Sequence, residues 1–241
     1  MQARLAAGVC TAGACVAAVC LAAHLGAEAS AFPIAEQAPA GPPIGELVAS
    51  LQQRYSAVRD LTADFEHRVS GGVLSTTDLE LGTVRIKRPG RWRFDYGEPE
   101  PKRFVSDGTT VYAHFPLDLQ VVVTPVPADA GASNPAAFLS GRGNLVRDFE
   151  AAYGDARDAP PDTWVVRLTP LRADANYETL ELAVERATLD ILRLATTDFL
   201  GAVSTYRFSN LRTNQGLSDA LFAFEIPPNT EVLTDEGPNY P

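Results

Sequence analysis

The stretch from Val84 to Tyr96, VRIKRPGRWRFDY, constrains this chain more than any other. In an extended chain, side chains alternate between faces. Val84, Ile86 and Arg88 therefore share one face, and Trp92, Phe94 and Tyr96 share a face after the Pro89-Gly90 break. Arg85, Lys87, Arg91, Arg93 and Asp95 take the other, which reads as an exposed strand face. An arginine in phase with a row of apolar side chains must be paired, because a buried unpaired charge is strongly destabilising. The guanidinium, a rigid fork of N–H donors, suits several carbonyl acceptors at once. The pattern implies a large apolar surface with an arginine positioned to hold something against it.

The rest of the chain supplies short elements. Leu47, Val48, Leu51, Tyr55 and Val58 recur at helical spacing and predict an amphipathic helix over 44–58. Thr62 to Ser70 alternates as a strand. From there to Val123, strands are punctuated by Gly71-Gly72, Pro89-Gly90, Gly97-Glu98-Pro99 and Asp107-Gly108. The last predicts a hairpin joining Arg103–Ser106 to Thr110–Phe115. Between Thr124 and Pro161 strands stop. Asn134-Pro135 is a helix start, and Phe138, Leu139, Leu145, Val146 and Phe149 mark a partly helical segment broken at Gly141-Arg142-Gly143. Strands resume at Thr163–Thr169, Thr179–Glu185, Ile191–Thr196, Val203–Leu211 and Leu221–Ile226. The fold class is mainly β: a single domain, an antiparallel meander of about eleven strands. A strongly curved sheet leaves a concave face, and two short helices would sit there as lid or plug. The rings of Trp92, Phe94, Tyr96, Phe104, Tyr112, Phe115, Phe208, Phe222 and Phe224 either line that face as a cavity or fill it as a core. The pattern fits both.

The formal net charge of -10 argues against nucleic acid and against electrostatic docking on anionic membranes. Residues 1–31 stand apart from the fold: Arg4, an apolar run from Leu5 to Leu25, then the small-x-small pattern Ala29-Ser30-Ala31. They read as a signal peptide cleaved near Ala31, with a membrane-spanning helix as the rival. All three cysteines (Cys10, Cys15, Cys20) fall within them, which excludes a disulfide scaffold or thiolate chemistry from the mature chain. Ala12-Gly13-Ala14-Cys15 loosely matches a lipoprotein cleavage box but lies in the middle of the apolar run. Residues 32–43, rich in Pro and Ala, read as a flexible segment, and 44–241 as the folded domain.

Signals for catalysis are weak. His67 and His114 have no second His or Cys at metal-ligand spacing. There is no strand-turn-helix nucleophile elbow, and Gly141-Arg142-Gly143 is too short for a phosphate loop. The carboxylate pairs Glu98/Glu100 and Asp235/Glu236 lie in Pro- or Gly-rich loops. No enzyme activity, cofactor or metal is expected; binding without chemistry is.

The run GTVRIKRPGRW from Gly82, the aromatic strand ending in Asp95-Tyr96, the Pro99 loop and Val105-Ser106-Asp107-Gly108 with Val111-Tyr112 resemble the LolA family, periplasmic carriers of outer-membrane lipoproteins. Weaker similarity extends over Leu47 to Leu233. The resemblance implies an unclosed antiparallel β-barrel with helices as a lid over a hydrophobic cavity. It implies triacylated lipoproteins as cargo, taken from an inner-membrane lipoprotein-releasing ABC transporter and handed to an outer-membrane lipoprotein acceptor by a periplasmic monomer. It also implies that Arg88 closes the lid by bonding backbone carbonyls near Tyr55 and around Leu139-Ser140. Trp92 would handle lipid, with Phe94, Tyr96, Phe104, Tyr112 and Phe115 beside it. A carrier of another lipid (a glycolipid or pigment precursor), a lipid-sensing regulator and a lipid-anchored acceptor share that fold. The acidic loop Gly97–Pro101 fits the acceptor poorly. An acidic carrier would dock on basic partner surfaces, more weakly as salt rises.

Overall fold

Pro89-Gly90 turns the central segment back on itself, and that hairpin sits in the middle of a long meander. A computed structural model of the chain describes residues 41–72, 79–97, 99–126, 138–172 and 177–234. These residues belong to one compact unit, Pro39–Pro241. Helix α1 (Ile44–Ser56) leads into β1 (Asp60–Gly71), β2 (Glu80–Lys87), β3 (Arg91–Tyr96), β4 (Lys102–Ser106), β5 (Thr110–Phe115) and β6 (Gln120–Pro125). A short helix α2 (Leu145–Asp148) precedes β7 (Phe149–Tyr153), β8 (Thr163–Pro170), β9 (Thr179–Glu185), β10 (Ile191–Thr197), β11 (Ala202–Thr213) and β12 (Glu231–Thr234). All twelve strands form one sheet, ordered β12-β6-β5-β4-β3-β2-β1-β11-β10-β9-β8-β7. Its edges, β12 and β7, do not pair, so the sheet is unclosed.

The sheet must curve. One buried cluster joins Tyr96 of β3 and Val84 of β2 to Leu182 of β9 and Val166 of β8. Laid flat, β3 and β8 would stand roughly 29 Å apart at about 4.8 Å per strand. The concave face is filled by α1, whose Leu47, Val48, Leu51 and Tyr55 are buried, and by Phe138, Leu139 and Leu145. Amphipathic helices cover what the sheet cannot cover itself.

Several expectations change. Among the described residues the strands number twelve, close to the expected eleven, but three segments differ. Leu221–Ile226 is not a strand: Asp219–Phe222 forms a 3-10 turn and the chain to Pro228 makes no ladder. It runs over the convex side, where Arg93 donates to the Leu221 carbonyl at 3.1 Å and Phe224 stacks on Tyr112 at 5.2 Å. Phe149–Tyr153, placed in a helical stretch, pairs as β7 with β8. β12 escaped notice and pairs in parallel with β6, so the sheet is not wholly antiparallel. The Asp107-Gly108 hairpin forms: the Asp107 carboxylate accepts from Thr109 and Thr110 N–H at 2.7 and 2.8 Å, and Gly108 takes φ +101°. Residues 138 and 139 are helical, while the proposed start at Asn134-Pro135 lies outside the described residues, as do residues 1–40 and Glu98.

The convex face of β2 and β3 is also less exposed than an ordinary solvated face. Asp95 accepts from Arg85, Arg93 and Arg103 at 2.8, 2.7 and 2.5 Å, and Lys87 and Arg91 pair with Asp219. Burial alone would raise the Asp95 pKa, but hydrogen bonds and charge from Arg93 and Arg103 hold it below the usual carboxylate value.

Gly82 sits between Phe65 and Tyr96 in the ladder, and their rings meet edge-on across it at 4.8 Å. A Cβ there would lie 2.3 Å from the Asp95 carbonyl and 2.5 Å from the Phe65 ring. Gly82→Ala is therefore expected to lower stability by about 1–3 kcal/mol, the range for overpacking a filled core, read as a reduced urea midpoint.

Candidate functional site

Arg88 follows the last residue of β2, and its side chain continues on the concave side as its phase requires. Its Nε donates to the Leu139 carbonyl at 3.3 Å and its Nη2 to the Phe138 carbonyl at 3.4 Å. Two further ties hold this segment, one to the same turn and one to the neighbouring β4–β5 turn. Gly90 N–H donates to the Ser140 carbonyl at 2.9 Å, and Arg142 reaches back to the Gly108 carbonyl. Ser106, fully buried, donates to the Gly90 carbonyl at 3.3 Å and accepts from Gly108 N–H at 3.2 Å, fixing the turn from beneath. The helical end at 138–139 is thus latched to the β2–β3 turn. Burial lowers the Arg88 pKa below the usual arginine value, with Tyr55 acting in the opposite sense.

Glycine makes the latch possible. Gly141 has φ +87°, and a Cβ there would press on the Arg88 side chain at 3.0 Å. Gly90 has φ +73°, and its Cβ would meet the Arg142 guanidinium at 2.6 Å. A left-handed conformation and close packing at the same position leave room only for glycine.

The expected carbonyl partners fall on one side only. The latch uses Phe138, Leu139 and Ser140, whereas the Tyr55 carbonyl accepts from Val58 N–H within its own chain turn. Tyr55 supports the latch differently. Its ring packs on Phe138 at 5.6 Å, and its hydroxyl accepts from Ile191 N–H at 3.0 Å. Burial raises its pKa strongly, so it is neutral. Gly90, Ser106, Gly141 and Arg142 were missed as site residues. For Gly90, Gly141 and Arg142 the signals were Pro89-Gly90 and Gly141-Arg142-Gly143, which read only as a turn and as a helix break too short for a phosphate loop.

The space beneath the latch is nearly filled. An apolar void of about 10 Å³ remains where Tyr55 and Leu139 meet Val84, Ile191 and Phe208. A chain of aromatic rings extends from there along the concave face. Trp92 meets Phe94 at 5.9 Å, Phe94 meets Phe65 at 5.6 Å, Tyr96 meets Phe104 at 5.7 Å and Phe104 meets Phe115 at 5.9 Å. Tyr206 and Phe208 continue it on β11. Trp92, Phe94, Phe104 and Phe115 remain half-buried, a partly open apolar shelf.

Tyr112 does not join them, which corrects its grouping with the lipid-facing rings. Phe104 faces Ala113 in the β4–β5 ladder and Val105 faces Tyr112, so Tyr112 points to the convex side. Phe224 covers it there. Phe222 and Phe224 likewise belong to that side.

At the far end of the shelf, a polar cluster closes the concave face. His67 Nδ1 lies 2.9 Å from Glu80 and its Nε2 2.9 Å from the Ser204 hydroxyl. Lys102 pairs with Glu80 at 2.5 Å, and the Tyr96 and Tyr206 hydroxyls meet at 2.8 Å. Burial lowers the His67 pKa below 6.5, against the opposing pull of Glu80. For Glu80, burial would raise the pKa, but Lys102 and His67 outweigh it and hold it below 4.5. Both groups bind fewer protons folded than unfolded, so folding weakens as pH falls. The His67 contribution should begin to be lost below about pH 6.5 and the Glu80 contribution below about pH 4.5. His67→Gln should flatten the first decline in a pH series of urea midpoints and leave the second.

Among the described residues no three His, Cys, Asp or Glu side chains cluster as a metal site would require. The family described as "Outer membrane lipoprotein carrier protein LolA" matches residues 56–225. An outer-membrane lipoprotein carrier protein of Dechloromonas aromatica is 32% identical over 175 residues, covering 73% of this chain and 81% of the relative. One from Chromobacterium violaceum is 27% identical over 197 residues, covering 82% and 92%. A solved LolA superfamily structure from Nitrosomonas europaea covers 76% of this chain and 99% of its own, with TM-score 0.40 and 14% identity. With the family matched over most of its folded length, the chain belongs to the LolA family of outer membrane lipoprotein carrier proteins.

Proposed function

We propose that this protein is a periplasmic carrier that holds the acyl chains of lipoproteins against the aromatic shelf beneath the latched helices. It would receive triacylated lipoproteins from an inner-membrane ABC transporter and deliver them to an outer-membrane acceptor, acting as a monomer without covalent chemistry. Residues 1–31 would direct export and be removed near Ala31.

The observation that carries this reading is the latch. A half-buried arginine holds the 138–139 segment through two carbonyl bonds at 3.3 and 3.4 Å, the long end of hydrogen-bond geometry, over an interior lined by apolar side chains. Such bonds contribute roughly 1 kcal/mol each. With the Gly90 and Arg142 ties, closure is stabilised by about 3–5 kcal/mol. Each buried methylene contributes about 0.8 kcal/mol. Opening is therefore offset by the burial of some four to six methylenes, roughly, which an acyl chain supplies. Closure then competes with cargo, so that bound chains remain releasable.

Removing the guanidinium should tilt this balance toward cargo. Arg88→Leu is expected to slow release of bound lipoprotein to an acceptor by about tenfold, the effect of losing some 1.4 kcal/mol from the closed state. The measurement is the half-life of a purified carrier–lipoprotein complex challenged with acceptor; equal half-lives would sink the latch assignment. A photo-crosslinker replacing Trp92 should label lipoprotein in cells. Adducts with free lipid alone would instead assign the shelf to a lipid shuttle.

A further inference from the structure

We propose that the convex face carries a second site, a groove over β1, β10 and β11 that binds a phosphate group through Arg68, Arg193 and Arg207. Alternation places Glu66, Arg68 and Ser70 of β1 on the convex side, opposite Arg207, Thr205 and Val203 of β11. Arg193 of β10 stands directly across from Arg207. Together with Leu79 and Asp158 they line a groove of about 460 Å³. The groove belongs to the opposite surface from the acyl shelf and does not depend on the carrier reading.

Its cations are poorly satisfied. Arg193 and Arg207 are like charges directly opposed on one face, an arrangement that destabilises a strand pair. The Arg193 side chain is only 9% exposed, and its one carboxylate contact among the described residues is Glu181 at 3.4 Å. The other oxygen of Glu181 is taken by Arg167 at 2.9 Å. Arg193 Nε is buried with no acceptor. Among the described residues the Arg207 side chain donates to the Asp158 carbonyl alone, at 3.2 Å, and Arg68 makes no ion pair. A guanidinium withdrawn from water and left half-paired is costly, and buried donors are ordinarily satisfied.

The charged residues lining the groove are three arginines, Arg68, Arg193 and Arg207, against two acidic residues, Glu66 and Asp158. That is a local cationic surplus in a chain of net charge -10. Glu66 faces Arg207 across the ladder without forming a salt bridge with it. An anion seated over Arg193 and flanked by Arg68 and Arg207 would separate the opposed charges. Phosphate suits this better than carboxylate: it offers more acceptor oxygens and more charge, and guanidinium forks match it. Ser70 and Thr205 place hydroxyl donors on the same wall.

The groove is too roomy for phosphate alone. Its far end is apolar, with Leu79 and Val203 in the lining, and the β10–β11 turn beyond exposes Phe199 and Leu200 at 66% and 75%. That turn is built: the Asp198 carboxylate accepts from Leu200 and Ala202 N–H at 2.8 Å each. A phosphate carrying an apolar substituent, as in a phospholipid headgroup, fits this polarity gradient better than the free ion.

The test is a thermal-unfolding series on the mature chain in phosphate-free buffer, with two probes added separately: inorganic phosphate, and dihexanoyl phosphatidylglycerol below its micelle concentration. Both should raise the midpoint above a sodium chloride control of equal ionic strength, the lipid at lower concentration. Arg68→Gln, an exposed change that spares the fold, should weaken both effects at least tenfold. Arg193→Met should abolish them while keeping or raising the unliganded midpoint, since it removes a half-paired buried charge. A loss of unliganded stability in Arg193→Met would instead make that arginine structural. Phosphate and chloride acting alike would overturn the site. Stabilisation by phosphate but not by the lipid would overturn its assignment to a headgroup.

Discussion

A sheet that curves without closing exposes a concave apolar face that no strand can cover, and most of this structure answers that constraint. The unpaired edges β7 and β12 leave the rim open. Helix α1 and the 138–145 segment must therefore fill the interior as separate pieces, each held by its own attachments. For α1 these are Arg54 to Asp190 at 2.7 Å and Gln52 accepting from Leu145 N–H at 2.8 Å. For the 138–142 segment they are the carbonyl bonds to Arg88 and the Gly90 turn. Plugs attached by few polar bonds can leave; strands bonded along both edges cannot. The sheet is scaffold, and the helices are the part free to respond to a ligand.

The attachments differ in strength along the chain. The Asp60 carboxylate, 4% exposed, accepts from Gln215, Gly216 and Leu217 N–H at 2.6, 3.0 and 3.4 Å. It ties the start of β1 to the chain beyond β11 with bonds to a formal charge. The Arg88 bonds are longer, and they are made to carbonyls that could accept from water instead. An ion pair there would bring the larger, less reversible energetics of a buried charge pair. Neutral acceptors make a latch that holds without locking.

Much of this was legible because period-two alternation is strict. It put Arg88 in phase with Val84 and Ile86, and the structure finds it on the concave side. It placed Trp92, Phe94 and Tyr96 together, and the Asp-Gly hairpin set the β4–β5 connection. Alternation fails across turns, where register decides the face. Tyr112 was grouped with Phe104 by composition, yet the ladder pairs Phe104 with Ala113 and sends Tyr112 outward. Leu221–Ile226 has a strand's composition but lies over the convex face, where the β3 and β4 edges are already paired with each other. Phe149–Tyr153 is too short for its period to separate helix from strand. The Gly141 latch position needed a φ and a close approach that no pattern reveals.

The same alternation explains how one sheet can serve two surfaces. Every strand that offers an apolar side chain inward must offer its neighbour outward, and on β1, β10 and β11 several of those neighbours are arginines. On β2 to β4, where the sheet carries Asp95 and the covering segment brings Asp219, the charges pair. Over β10 and β11 the acid that pairs with Arg193, Glu181, is shared with Arg167, and Arg207 forms no salt bridge, so the balance is not met among the described residues. Folding alone does not require this: the inward side chains already define the core, and an apolar residue at position 193 would serve burial equally well. A buried guanidinium kept half-satisfied, facing a groove, is better explained by a ligand than by the fold.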